Sequence, residues 1–185
     1  MKRFVLTGAP GAGKTVIIRQ LEIDGLSVVE EAATDVITLE QARGVAEPWT
    51  QASFIDSIAN LQRLRLRCAS NEPGYLQFDD RSAVCTAALA VYLGHPVSAT
   101  LSRELERIKA DALFEKFVFF ISNLGQIAKT EARRISFEEA LRFERVHEEN
   151  YRIFGFDLVF VEPATLPERV AAIKTALHAL HVGSW

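Results

Sequence analysis

The most constraining segment lies at the start of the chain, where Phe4-Val5-Leu6-Thr7 runs straight into Gly8-Ala9-Pro10-Gly11-Ala12-Gly13-Lys14-Thr15. This is a complete G-x-x-x-x-G-K-[ST] sequence. An apolar run of strand type precedes it, and the helical run Val16-Ile17-Ile18-Arg19-Gln20-Leu21 follows. The glycines let the backbone bend so that successive N–H groups point inward at phosphate oxygens. The helix aims its positive end at the same place. Gly8, Ala9, Pro10, Gly11, Ala12, Gly13, Lys14, Thr15 and Val16 are therefore the expected nucleotide cradle. Lys14 is expected to reach the β- and γ-phosphates, and the Thr15 hydroxyl to ligate Mg²⁺. The implied ligand is ATP with Mg²⁺. A dinucleotide fingerprint is excluded, since no G-x-G-x-x-G spacing passes through these glycines.

The rest of the chain alternates strand and helix patterns. Expected strands are residues 3–7, 26–30, 75–78, 117–121 and 158–161, and the expected helices fall between and after them. From Pro48 to about residue 70 the pattern is helical, with Phe54, Ile55, Ile58, Leu61 and Leu64 on one side. Residues 82–93 are apolar nearly all round, which predicts a buried helix. Ser136-Phe137-Glu138-Glu139 and Thr165-Leu166-Pro167-Glu168 both read as capping boxes. Such alternation predicts an α/β fold with a parallel sheet and helices on both faces. Ligands on such sheets bind at the carboxyl ends of strands.

The acidic strand ends fall where a phosphate site needs them. Glu30 and Glu31 end the second strand; Asp79 and Asp80 end the third. A carboxylate there can hold Mg²⁺ or accept a proton from an acceptor hydroxyl. Neighbours on a strand point to opposite faces, so one of each pair is expected to face the nucleotide. Arg81 follows directly and offers a guanidinium fork to phosphate or acceptor. Lys129, Arg133 and Arg134 follow the fourth strand, in a segment suited to a small lid around residues 124–136 with Arg133 or Arg134 over the phosphates. Arg63, Arg65 and Arg67 cannot share one helix face and read as mostly solvated, Arg63 being a weak candidate for the acceptor site. His147, His178 and His181 lack the spacing of a zinc set and read as structural or solvated.

Taken in order, residues 8–15, Glu30-Glu31, Asp80-Arg81-Ser82 and Arg133-Arg134 resemble the P-loop nucleoside and nucleotide kinase group. The set is most similar to the NadR-like AAA-type ATPase/kinase domains, which include ribosylnicotinamide kinase. The resemblance spans nearly the whole chain. It implies a three-layer P-loop fold with a five-stranded parallel sheet in the order 2-3-1-4-5. It also implies a metal or base carboxylate at Asp80, an acceptor or phosphate contact at Arg81, lid arginines at Arg133 and Arg134, and a strand-two carboxylate at Glu31. The nucleotide base is then expected near Pro163-Ala164-Thr165.

Three rivals remain: a small-molecule kinase, an ATPase driving a partner protein, and a binding module with little turnover. A GTPase switch is disfavoured by the lack of N-K-x-D and D-x-x-G, and a transporter ATPase by the lack of L-S-G-G-Q. The kinase reading predicts an unidentified small-molecule acceptor, seated between residues 48–70 and the end of strand two. A net charge of −3 offers no basic field for nucleic acid. No apolar run approaches membrane-spanning length, so no membrane partner is expected. Two cysteines without metal or redox spacing, and Met1-Lys2-Arg3 leading into a strand rather than a signal peptide, predict a single cytoplasmic domain.

Overall fold

The computed structural model describes residues 1–69, 76–124 and 137–180. Five strands form one sheet: β1 (Lys2–Thr7), β2 (Ser27–Val29), β3 (Leu76–Asp80), β4 (Phe117–Ile121) and β5 (Asp157–Val161). All pairings are parallel, and the order is β2-β3-β1-β4-β5. The helices are α1 (Lys14–Ile23), α2 (Ala32–Ala42), α3 (Ala52–Cys68), α4 (Ala83–Leu93), α5 (Ala99–Ala110), α6 (Phe137–Ile153) and α7 (Leu166–Ala179).

The period-two alternation of the central strands assigns side chains to two cores. Phe4, Leu6, Phe78, Phe119 and Ile121 face α1 and α7, meeting Ile17, Ile18, Leu21, Val170, Ile173 and Leu177. Phe4, Phe78 and Phe119 pack with ring centroids 5.7–6.1 Å apart. Val5 and Val118 face the opposite way, toward the layer that carries Ile55, Ile58, Val84, Leu101 and Tyr151. Burying each of these large apolar side chains contributes about 1.5–3 kcal/mol, so both faces of β1 hold the sheet to its helices. The result is three layers, helix–sheet–helix, as the alternation of patterns predicts.

Local chemistry sets the ends of the elements. Ser82 Oγ accepts from Val84 N–H at the start of α4, and Ser98 Oγ from Leu101 N–H at the start of α5. The Thr165–Glu168 capping box opens α7 as its sequence predicts. The other capping box begins at Ser136, outside the described residues.

Three expectations shift. The helix from Pro48 is interrupted: Pro48–Thr50 is a 3-10 turn, Gln51 is extended, and α3 starts at Ala52. The buried stripe of α3 runs through Phe54, Ile55, Ile58, Ala59, Gln62 and Leu66 and leaves Leu64 exposed. Its spacing of three to four follows the helix, and Leu64 falls off that line. β3 extends through Asp79 and Asp80 instead of stopping at Phe78, because both pair in register with β1.

That register positions the site. Leu6 lies opposite Asp80, and Arg81 N–H donates to Leu6 O at 3.0 Å. The end of β3 is thereby stitched beside the loop that leaves β1. From β1 the chain crosses to one side for β2 and β3 and later to the other for β4 and β5, so β1 ends at the switch point of the sheet.

Candidate functional site

The loop between β1 and α1 is built tightly. Gly8 has φ +132°, and a Cβ there would stand 2.3 Å from Ile121 O of β4. Gly13, the N-cap of α1, has φ +83°. Lys14, although charged, is only 7% exposed. Its Nζ donates to Gly8 O at 3.0 Å and Ala9 O at 2.9 Å, curling the side chain back over the loop. Burial, assisted by the Arg81 charge, pulls the Lys14 ammonium down to about 8, against the opposing pull of Asp80, Glu31 and Cys85. Thr15 and Val16 are exposed in the first turn of α1.

Arg81 is the hub of the site. Its backbone is left-handed at φ +75°, unusual for a residue with a Cβ. Nε donates to Glu31 Oε1 at 2.6 Å, Nη2 to Gly8 O at 3.2 Å, and Nη1 to His147 Nε2 at 3.2 Å. The guanidinium also lies 5.6 Å from the centre of the Phe143 ring. Arg81 thus joins the β2–α2 turn, the glycine-rich loop and α6. His147 is fully buried. Because Arg81 can only donate, His147 Nε2 accepts, and Nδ1 donates to Phe143 O at 2.9 Å. Burial, then the Arg81 charge, keep the ring neutral.

Glu31 is held on both sides, by Arg81 and by Thr34 Oγ1 at 2.8 Å. Burial alone would raise its carboxyl, but Arg81, Lys14 and these hydrogen bonds hold it below the ordinary range. Its neighbour Glu30 is exposed and pairs with Arg19 instead. Arg65 is not simply solvated: Nη1 donates to Glu30 O at 3.0 Å and Glu31 O at 2.6 Å, and the same guanidinium pairs with Asp35. It braces the turn that presents Glu31. Arg63 is exposed and, among the described residues, donates to Asn60 Oδ1 at 3.2 Å.

The two aspartates at the end of β3 part company. Asp80 shares the face of Phe78 and Leu6 and feels the charges of Lys14, Glu31 and Arg81. Its carboxyl is raised by burial, with Lys14 opposing and Glu31 adding to the rise, and its Oδ1 is buried without a hydrogen-bond partner among the described residues. Asp79 lies level with Val5 on the other face, and among the described residues the charge acting on it is that of Arg3. As a metal candidate Asp79 is therefore separated from the loop by strand alternation, and Asp80 alone of the pair joins it. Among the described residues no group of three or more His, Cys, Asp or Glu forms a metal set. An Mg²⁺ held by one carboxylate, one hydroxyl and phosphate oxygens needs none. Asp80 Oδ1, an unpartnered buried carboxylate oxygen, fits that donor chemistry.

Behind the site, Tyr151 OH is 2.8 Å from Ser82 Oγ and 2.9 Å from Cys85 Sγ, and Cys85 Sγ is 3.3 Å from Thr7 Oγ1. Gln62 accepts from Thr86 Oγ1 at 2.8 Å. Sequence pattern does not single out Tyr151, Gln62, His147 as a partner of Arg81, or Arg169, whose Nη1 donates to Ala12 O in the loop. Their shared signal is a polar residue on an otherwise apolar helix stripe: 140, 143, 147 and 151 in α6, and 169, 173 and 177 in α7. Lys129, Arg133 and Arg134 lie outside the described residues. So does the expected lid, apart from Leu124.

A glycine-rich cradle at the switch point of a 2-3-1-4-5 parallel sheet, with Lys14 and an Asp-Arg pair beside it, defines a P-loop nucleotide kinase-like fold. The AAA domain family matches residues 3–169, and the chain belongs to that family. NadR protein in complex with NR superposes with a TM-score of 0.70 at 16% identity, covering 100% of this chain and 52% of that one. The chain therefore spans about half the length of the NadR structure. Deoxyadenosine kinase from M. mycoides, with dCMP and a flexible dCDP bound, gives a TM-score of 0.64 at 14% identity, covering 96% of this chain and 99% of that one. Shikimate kinase from Acinetobacter baumannii in complex with shikimate gives 0.58 at 15%, covering 98% and 94%. These likenesses show the fold. No curated protein matches the chain.

Proposed function

We propose that the chain is an ATP-dependent phosphotransferase acting on a small, nucleoside-like acceptor. The observation that carries this reading is the charge group beside Lys14: an Arg81 fork tied to an ionised Glu31, and an Asp80 whose buried oxygen has no partner among the described residues. Phosphoryl transfer needs positioning and charge neutralisation more than covalent chemistry, and these residues supply both. Residues 8–16 hold the polyphosphate. Lys14 exchanges its carbonyl partners for phosphate oxygens. Thr15 and Asp80 are the residues that would hold Mg²⁺, which would offset the negative charge of the phosphates. Arg81 steadies the transferred group, and Glu31, at the end of the β2–α2 turn, accepts a hydrogen bond from the acceptor hydroxyl. Arg133 and Arg134 are proposed to close over the phosphates.

The nucleoside-like acceptor draws support from the fold relatives, whose bound molecules are NR, a nucleotide pair and shikimate. NadR protein has also been captured with NAD and AMP-PNP. Among the described residues no helix is long and apolar enough to cross a membrane. Both cysteines are free thiols, which supports a reducing, cytoplasmic setting.

The test is ADP release from ATP and Mg²⁺ across a panel of nucleosides and small alcohols. Acceptor-dependent turnover that falls at least a hundredfold in Asp80→Ala supports the kinase. Steady hydrolysis indifferent to every acceptor replaces it with an ATPase acting on a protein partner.

A further inference from the structure

Arg169, in the first turns of α7, is 3% exposed. Its Nη1 donates to Ala12 O at 2.7 Å and its Nη2 to Ser122 O, just past β4, at 3.1 Å. Its Nε has no partner among the described residues, and no carboxylate there pairs with it. Burial lowers its proton affinity, and no charge among the described residues offsets this. A guanidinium buried against carbonyl oxygens alone is costly to keep, because dipoles replace only part of its hydration.

The carbonyl it grips is informative. A trans peptide is planar, with C=O and N–H pointing in opposite directions. Fixing Ala12 O toward α7 fixes the Gly13 N–H away from it. The contact is close: a Cβ on Gly13 would stand 3.0 Å from Arg169 Nη1. α7 itself begins at Leu166, directly after Pro163-Ala164-Thr165.

We propose that Arg169 is a positioning residue of the phosphate loop, aiming the Gly13 N–H into the cradle and lending a buried positive charge that a bound polyphosphate balances. It also makes the β5–α7 loop and the cradle one mechanical unit, tied through the end of β4. The inference rests on the nucleotide reading above.

The probes are inorganic tripolyphosphate and ATP, titrated calorimetrically into the full chain, with thermal melts in parallel. Arg169→Met is expected to weaken both ligands at least tenfold. Arg169→Lys, which keeps the charge but cannot span both carbonyls, is expected to weaken them about threefold. A structural role alone would lower the melting temperature of the free protein and leave the affinities of the folded protein unchanged, and that result overturns the proposal. If Arg169→Met does not fold, the lysine variant decides: unchanged affinity overturns, weakened affinity supports. A wild-type chain that binds neither probe overturns the nucleotide reading together with this inference. Binding by wild type with both variants unaffected overturns this inference alone.

Discussion

The first glycine of the loop is as much a packing residue as a phosphate-site residue, and Gly8→Ala separates the two roles. Its φ of +132° lies in a region that residues with a Cβ avoid. Such backbone strain costs about 1–3 kcal/mol. The new Cβ would also stand 2.3 Å from Ile121 O, a backbone atom of the central sheet with no rotamer to retreat into. Overpacking of this kind costs about 1–3 kcal/mol more. The expected sum is about 2–6 kcal/mol, a large share of the ~5–15 kcal/mol that holds a domain together. Gly25→Ala is the matched control, since Gly25 also has a positive φ (+88°) but nothing within 4 Å of its would-be Cβ. It should lose only the strain, about 1–2 kcal/mol. Urea unfolding of both variants without ligand reads the difference directly. If Gly8→Ala unfolds at the same midpoint as Gly25→Ala, the close approach to β4 does not govern this loop and the reasoning fails.

Three further outcomes follow from the buried charges. Lys14 sits near 8 in the free protein, and a polyphosphate favours its charged form, so binding takes up a proton above that pH. ATP affinity should be flat up to about pH 7 and then fall by roughly tenfold per unit above pH 8; a flat calorimetric profile to pH 9.5 refutes this. Asp79 is raised by burial from 3.8 to about 8, so between those values the folded chain holds a proton that the unfolded chain has lost. Stability from this group is therefore present at low pH and declines as pH rises, at up to about 1.4 kcal/mol per unit. Asp79→Asn should gain in urea midpoint over wild type from pH 5 to pH 7, and an unchanging gap contradicts the sign. His147→Leu leaves Arg81 Nη1 without its acceptor and should cost about 1–3 kcal/mol in unfolding free energy, while His147→Gln, which keeps an acceptor, should cost less. Equal losses would show that the ring is filling space only.

Much of this was legible in the chain because the signals are local. The loop, the apolar strands at residues 4–7 and 117–121 and the all-round apolar α4 each announce themselves within a dozen residues. The strand order came through the family resemblance, since periodicity says nothing about which strand lies beside which. Alternation indicated that only one of Asp79 and Asp80 faces the loop, but not which; the register Leu6–Asp80 decides it. His147 and Arg169 escaped because each looks like an ordinary charged or polar helix residue until a partner 66 or 157 positions away meets it. A polar residue on an apolar stripe was the available clue. Leu64 was misplaced for the complementary reason: it is apolar, but α3 turns it outward.

The three-way grip of Arg81 bears on how such a chain matures as it emerges from a ribosome. Glycine-rich loop, Glu31 and Asp80 are all synthesised within the first eighty or so residues, yet the histidine that steadies the arginine fork arrives only at position 147. The first strand likewise waits for residues 117–121 before both its edges are covered. A nascent segment carries every recognisable letter of the cradle without its working geometry, so the order of synthesis keeps the half-made site unfinished until the far end of the polypeptide docks.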